Sequence, residues 1–241
     1  MPLSGLNRAL VLRGRAPDER TGNILIDDLI GAEVFWAGAQ SDRDALVEVA
    51  DELRARGQKP YVIPLGGSNP IGAAGYVTAM LEFVQQSRSI DITFEAIVFA
   101  TSSGGTQSGL VVGARLAGYP GRILGISVDH TADQLSPALA ELAQATAEHI
   151  DLPLVFDRSD FEVNDHYLGG GYAVMGEPER EAIALCARTE GLLVDPVYTG
   201  RALAGLIDLV RRGEFKRYQK VLFWHTGGLP ALFAYARQLT A

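Results

Sequence analysis

The sequence holds one cysteine, Cys186, so no disulfide can close within the chain and a cysteine-based zinc site lacks its ligands. It has no run of Lys/Arg, and its formal net charge is −8, so the electrostatic footprint of a nucleic-acid-binding protein is missing. No apolar run approaches the roughly 20 residues of a membrane span. The N-terminus shows no charged-then-apolar signal pattern. A soluble cytoplasmic protein without nucleic acid, membrane or metal as partner is the expectation. Lysine is the scarcest of the charged residues: Lys59, Lys216 and Lys220 are all there are.

Glycine, by contrast, is abundant at 27 residues, many of them following short apolar runs. That pattern predicts tight strand-to-helix turns in an α/β protein. Ala9–Leu12, Val34–Trp36 and Tyr61–Ile63 read as strands. A helix is predicted over Asn23–Ile30 and another over Ser41–Arg56, with Ser41 as its cap and Leu46, Val49, Ala50 and Leu53 as its buried stripe. The Gly/Pro/Asn cluster Pro64–Pro70 suggests a crossing between two units. Beyond it the predicted order is helix Gly72–Gln86, strand Ala96–Ala100, helix Thr106–Leu116, strand Arg122–Val128 and helix Ala132–His149. A less regular stretch with Gly169-Gly170-Gly171 follows. Helices Pro178–Thr189 and Tyr198–Arg212, strand Val221–Trp224 and a last helix near Leu229–Gln238 complete the chain. Strands alternating with helices imply βαβ units and a mostly parallel sheet.

Four segments can carry chemistry. The buried run Ala96–Ala100 delivers Thr101-Ser102-Ser103-Gly104-Gly105-Thr106 to a helix start. Small residues there let backbone N–H groups close on a phosphate, with the helix dipole adding attraction. The loop has neither the Gly-Lys-Ser/Thr of a nucleotide P-loop nor the GxGxxG of a dinucleotide site. On its own it reads equally as an ordinary βα turn. Asp195-Pro196-Val197-Tyr198-Thr199-Gly200 opens a helix, where Asp195 and Tyr198 can be simple capping and packing groups. His225 and Thr226 follow a buried strand, on the side where open α/β sheets bind ligands. Gly170-Gly171-Tyr172 has the composition of a surface turn as much as of a site.

Together these segments resemble the D-cysteine desulfhydrase and 1-aminocyclopropane-1-carboxylate (ACC) deaminase family of fold-type-II pyridoxal-phosphate (PLP) enzymes. The matching residues are Tyr61-Val62-Ile63-Pro64, Gly66-Gly67-Ser68-Asn69-Pro70, Gly75-Tyr76, Ser103-Gly104-Gly105-Thr106-Gln107, Gly171-Tyr172, Asp195–Gly200 and His225-Thr226-Gly227-Gly228. The resemblance implies a two-lobed, three-layer αβα fold like the tryptophan synthase β subunit, with residues 1–68 a remnant of the small domain and residues 69–241 the large domain. It implies PLP as cofactor, with Ser102, Ser103, Gly104, Gly105 and Thr106 holding the phosphate and Thr226 the pyridine nitrogen. Tyr198 and Tyr172 would border a small amino-acid substrate, and a homodimer is implied. The ACC deaminase branch is similar to Tyr-Glu where this chain has Tyr198-Thr199, and to His-Leu-Gly-Gly where this chain has His225–Gly228. Both differences favour carbon–sulfur elimination from D-cysteine over cyclopropane opening, because a hydroxyl makes the ring a weaker electron sink than a carboxylate does.

One requirement is not met. Such a lyase needs a Schiff-base lysine, which also moves the substrate's α-proton. The three lysines all precede predicted strands, at the end of the sheet away from an α/β ligand site. In the resembled family that lysine, and a Ser-Asn-His/Gln motif, belong to a segment that would precede Met1. The expectation is therefore a late start or a truncated relative. Activity on ACC or L-cysteate, an inactive PLP-binding fragment, and a binding protein without PLP are the alternatives.

Overall fold

The computed structural model describes residues 5–240. The chain divides into two compact units, residues 1–66 and 67–241.

The first unit contains β1 (Ala9–Leu12), α1 (Gly22–Leu29), β2 (Glu33–Trp36) and α2 (Asp42–Ala55). β1 and β2 pair in parallel, Ala9 opposite Glu33 and Leu12 opposite Trp36. The Ser41 hydroxyl accepts from the Asp44 N–H at 3.2 Å, and Asp42 and Asp44 in the first turn complement the helix dipole. α2 buries Ala45, Ala50 and Leu53; Leu46 and Val49 of the predicted stripe are less buried. Arg56, just past the end of α2, pairs with Glu33 at the start of β2 at 2.6 Å. The C-terminus of α2 thus lies at the amino end of this small sheet. Tyr61–Ile63 is a correction to the predicted strand. The segment joins no ladder, and Tyr61 and Ile63 are 69% and 60% exposed. β-branched and aromatic residues favour extended backbone, but a strand also needs a neighbour to bond with. Among the described residues, β1 pairs only with β2.

The second unit runs α3 (Pro70–Ser89), β3 (Ala96–Thr101), α4 (Gly105–Ala117), β4 (Arg122–Ser127), α5 (Ala132–His149), β5 (Glu162–Asn164), α6 (Glu177–Glu190), α7 (Thr199–Arg211), β6 (Val221–Phe223), α8 (Leu229–Ala234) and α9 (Ala236–Leu239). Its sheet has the order β5-β4-β3-β6, and every pair is parallel. β3 is central and apolar through Ala100 because both its faces are covered. Ile97 and Phe99 pack with Met80, Phe83 and Leu110 of α3 and α4. Ala96 and Val98 face the other way, with Ala202 and Leu209 of α7. Helices on both faces make three layers. α4 lies against α3 at Gly109, where a Cβ would come 2.2 Å from the Ala73 carbonyl oxygen.

Two elements differ from the predicted pattern. β5 is a three-residue edge strand in the stretch read as irregular, and Glu-Val-Asn is too short to show alternation. The last helix is interrupted at Tyr235, whose backbone has φ −102° and ψ 12°. Because all four strands are parallel, the loops after Thr101, Ser127, Asn164 and Phe223 emerge along one edge.

Candidate active site

The loop after β3 is built for close approach. Gly104 has φ +95°, a left-handed value suited to glycine, and a Cβ there would lie 3.0 Å from Leu139 Cδ2. α4 then begins at Gly105, directing its N-terminal N–H groups back toward the turn. Ser68 stitches the loop from the side. Its hydroxyl donates to Ser103 Oγ at 2.8 Å and accepts from the Gly105 N–H at 3.0 Å. Ser102 donates its hydroxyl to Asp129 Oδ2 at 2.6 Å, and the other oxygen of Asp129 lies 2.7 Å from His130 Nδ1. Ser103 keeps its own hydroxyl proton, because it accepts from Ser68.

A cavity of about 110 Å³ opens over this loop, lined by Ala100, Thr101, Ser102, Ser103, Gly104, Thr106, Tyr198 and Thr226. Six residues singled out from the sequence meet there. Gly105 does not line it, its N–H being spent on Ser68, and His225 is exposed outside it. A larger groove of about 590 Å³ lies at the amino end of β4. Its arginines, Arg115 and Arg122, are paired with Asp160 and Glu162, so its size does not mark a site.

Tyr172 stands beside the cavity through Tyr198. The two hydroxyls are hydrogen-bonded, and the rings meet edge to face with centroids 5.9 Å apart. Burial, then the Tyr172 hydrogen bond and the charges of Asp195 and Asp129, push the Tyr198 phenol well above its ordinary range. Tyr198 is therefore a protonated phenol at neutral pH, its hydroxyl shared with that of Tyr172 at the edge of the cavity.

Asp195 sets where Tyr198 sits. Its buried carboxylate accepts from the N–H groups of Val197, Tyr198 and Thr199 at 2.7–2.8 Å and from the Thr199 hydroxyl at 2.6 Å. This consumes the Thr199 hydroxyl proton. It also leaves no room at Gly228, where a Cβ would be 2.6 Å from Asp195 Cγ and where φ is +96°. Asp195→Ala strands three backbone donors; it should destabilise the chain by roughly 3 kcal/mol, read as a lowered midpoint in urea unfolding.

Sequence reasoning missed Ser68 and Asp129 as parts of the loop. Asp129 had a signal: it lies two residues beyond β4, on the ligand edge of the sheet. Ser68 had none beyond its place in the family-like segment.

Neither lysine of the second unit reaches this arrangement. Lys220 immediately precedes β6, and its backbone bonds Glu95 at the amino end of β3. Lys216 is four residues further back, near the Tyr218 ring. Lys59 follows α2 at the amino end of the first unit's sheet, and all three are exposed.

Comparison with known proteins places this geometry. Residues 3–227 match the family described as pyridoxal-phosphate dependent enzyme. A solved structure described as an ACC deaminase homologue is 37% identical, with a TM-score of 0.87, over 98% of this chain and 70% of its own. The processed form of threonine deaminase isoform 2 from Solanum lycopersicum is similar in fold at 15% identity and TM-score 0.59, over 97% of this chain and 62% of its own. A mutant O-ureido-L-serine synthase bound to O-ureido-L-serine is similar in fold at 13% identity and TM-score 0.58, over 97% of this chain and 67% of its own. The chain belongs to the fold-type-II pyridoxal-phosphate dependent enzymes, and PLP is the cofactor of that family.

The residues present fit this group in part. A glycine turn at a helix start, with the hydroxyls of Ser103 and Thr106 beside it, suits a phosphate dianion. The Thr226 hydroxyl suits the pyridine nitrogen. Neither Lys216 nor Lys220 is placed for the aldehyde.

Proposed function

We propose that this chain carries the phosphate and ring half of a D-cysteine desulfhydrase-type site. The observation supporting it is the cavity lining, in which hydroxyls and backbone groups appear but no carboxylate. Bound PLP supplies an electron sink for the bond-breaking at the amino acid. Ser103, Thr106 and the turn at Gly104 hold the phosphate and so fix the ring's position. Thr226 hydrogen-bonds the ring nitrogen without forcing a proton onto it. Thr199, the position of the glutamate in the resembled ACC deaminase branch, cannot substitute, because its hydroxyl is engaged by Asp195. Tyr198 presents its hydroxyl toward the substrate, and the bond to Tyr172 orients it.

A weak sink suits a good leaving group. In D-cysteine the Cα–H and Cβ–S bonds break and sulfur leaves with the bonding pair. Protonation gives hydrogen sulfide, and water hydrolyses the resulting imine to pyruvate and ammonia. Cyclopropane opening has no such leaving group and asks more of the ring. When the chain is joined to a lysine-bearing segment of the kind the family resemblance implies, hydrogen sulfide release from D-cysteine should exceed ACC turnover by at least about tenfold, or ~1.4 kcal/mol in transition-state stabilisation. Comparable turnover of both would overturn the role given to Thr226. Faster turnover of ACC would favour the activity named for the 37%-identical relative.

A further inference from the structure

Tyr172 rides on a turn closed by a single backbone bond of its own, Val174 N–H to the Gly171 carbonyl at 3.3 Å. Gly171 and Ala173, on either side of it, have φ of 109° and 60°. Ala173 thus carries a side chain into a region that L-residues avoid. Tyr172 is 51% exposed, so packing does not pin it. Beyond that backbone bond, three carbonyls of the loop accept from side chains elsewhere in the same unit. Arg201 of α7, 1% exposed, donates from Nη1 to the Gly171 carbonyl at 3.0 Å and from Nη2 to the Val174 carbonyl at 2.7 Å. Nη1 also reaches the Val128 carbonyl at 2.9 Å, just past β4, and Nε meets Glu179 at 2.7 Å. Tyr235 donates its hydroxyl to the Ala173 carbonyl at 2.6 Å.

A guanidinium presents its N–H groups in one rigid plane, so fixing its position fixes where both loop carbonyls lie. The helix that carries Arg201 begins beside Tyr198, its N-cap. One helix therefore sets the places of both tyrosines. A buried ion pair adds little stability over an apolar substitute; what Arg201 and Glu179 add is geometry.

We propose that Arg201 and Tyr235 are positioning residues that hold Gly171–Val174 so that the Tyr172 hydroxyl meets that of Tyr198 beside the cavity. This rests on the reading of that cavity as the cofactor and substrate site. The test uses the chain with carbon-13 at tyrosine Cζ, with Tyr172 and Tyr198 assigned through Tyr172→Phe and Tyr198→Phe. Tyr235→Phe removes one hydroxyl. Arg201→Lys keeps a charge beside Glu179 but cannot span both loop carbonyls. In each variant the Tyr198 signal is expected to move to where Tyr172→Phe puts it, because the same hydroxyl contact is lost. Unmoved Tyr172 and Tyr198 signals in folded variants, with only a lowered melting temperature, would reduce both residues to structural supports and overturn the proposal. If Arg201→Lys does not fold, Glu179→Gln combined with Arg201→Gln removes both buried charges together and is read in the same way. Pyridoxine phosphate titrated into the parent chain tests the cavity reading separately. Failure to bind overturns that reading, while the tyrosine signals still decide whether the loop is held as stated.

Discussion

Reduced with borohydride in the presence of PLP, the 241-residue chain is expected to carry no stoichiometric pyridoxyl-lysine. The reason is directional. In a parallel sheet every strand points its carboxyl end at the ligand edge, and the cavity over Ser102–Thr106 sits there. Lys220 stands at the other end, its backbone bonded to Glu95. Six residues of β3 separate those ends, about 17 Å at the ordinary rise of a strand, which is beyond a lysine side chain's reach. Lys216 is further removed along the chain. Lys59 follows Arg56, which is tied to Glu33 at the amino end of β2, so it too lies at the amino end of its own sheet. Tryptic digestion and mass spectrometry read the result. One fully labelled lysine at 59, 216 or 220 would sink the idea, whereas faint labelling of all three is what exposed amines give. Any PLP bound without that link should leave on dialysis.

The parts of this arrangement legible in the sequence are those whose cause is local. Ala96–Ala100 is a continuous apolar run because both faces of β3 are covered, and the small residues after it mark the turn. Ser41 caps α2 through a contact three residues away. Asp195 is a capping group, as its place before a helix suggests, with all four of its partners within four residues. What could not be read is pairing across the chain. Ser68 meets Ser103 from 35 residues away, Ser102 meets Asp129 from 27, and Arg201 meets Val128 from 73. No periodicity encodes such contacts. Tyr61–Ile63 differs for a related reason: its composition suits a strand, but among the described residues it pairs with none. The family-like motifs found the cavity's residues without revealing that Ser102 and Gly105 spend their hydrogen-bonding groups within the protein.

Placing aspartate at Gly104 is expected to lower affinity for pyridoxine phosphate at least about a hundredfold, equivalent to ~2.7 kcal/mol. Three effects add. The backbone there has φ +95°, which any side chain strains. The new Cβ would sit 3.0 Å from Leu139 Cδ2; this is the smallest of the three, since the end of a leucine can turn aside. The carboxylate, on a Cβ directed at Leu139 and Leu142, also brings a negative charge beside the turn, and two unit charges ~4 Å apart repel by up to ~4 kcal/mol in a partly solvated site. Gly104→Ala separates the contributions by keeping the strain without the charge, so its loss should be clearly smaller. Thr106→Ala removes one hydroxyl and should cost about 1 kcal/mol, close to fivefold, or more toward a dianion. Pyridoxine phosphate has no aldehyde, so calorimetry or phosphorus NMR with it measures the cradle alone. Circular dichroism on each variant keeps misfolding apart from lost binding. Raising the salt concentration should narrow the gap between Asp and Ala at this position, since only the charge is screened. Equal affinity in the parent and in Gly104→Asp would mean that the loop is only the turn between β3 and α4.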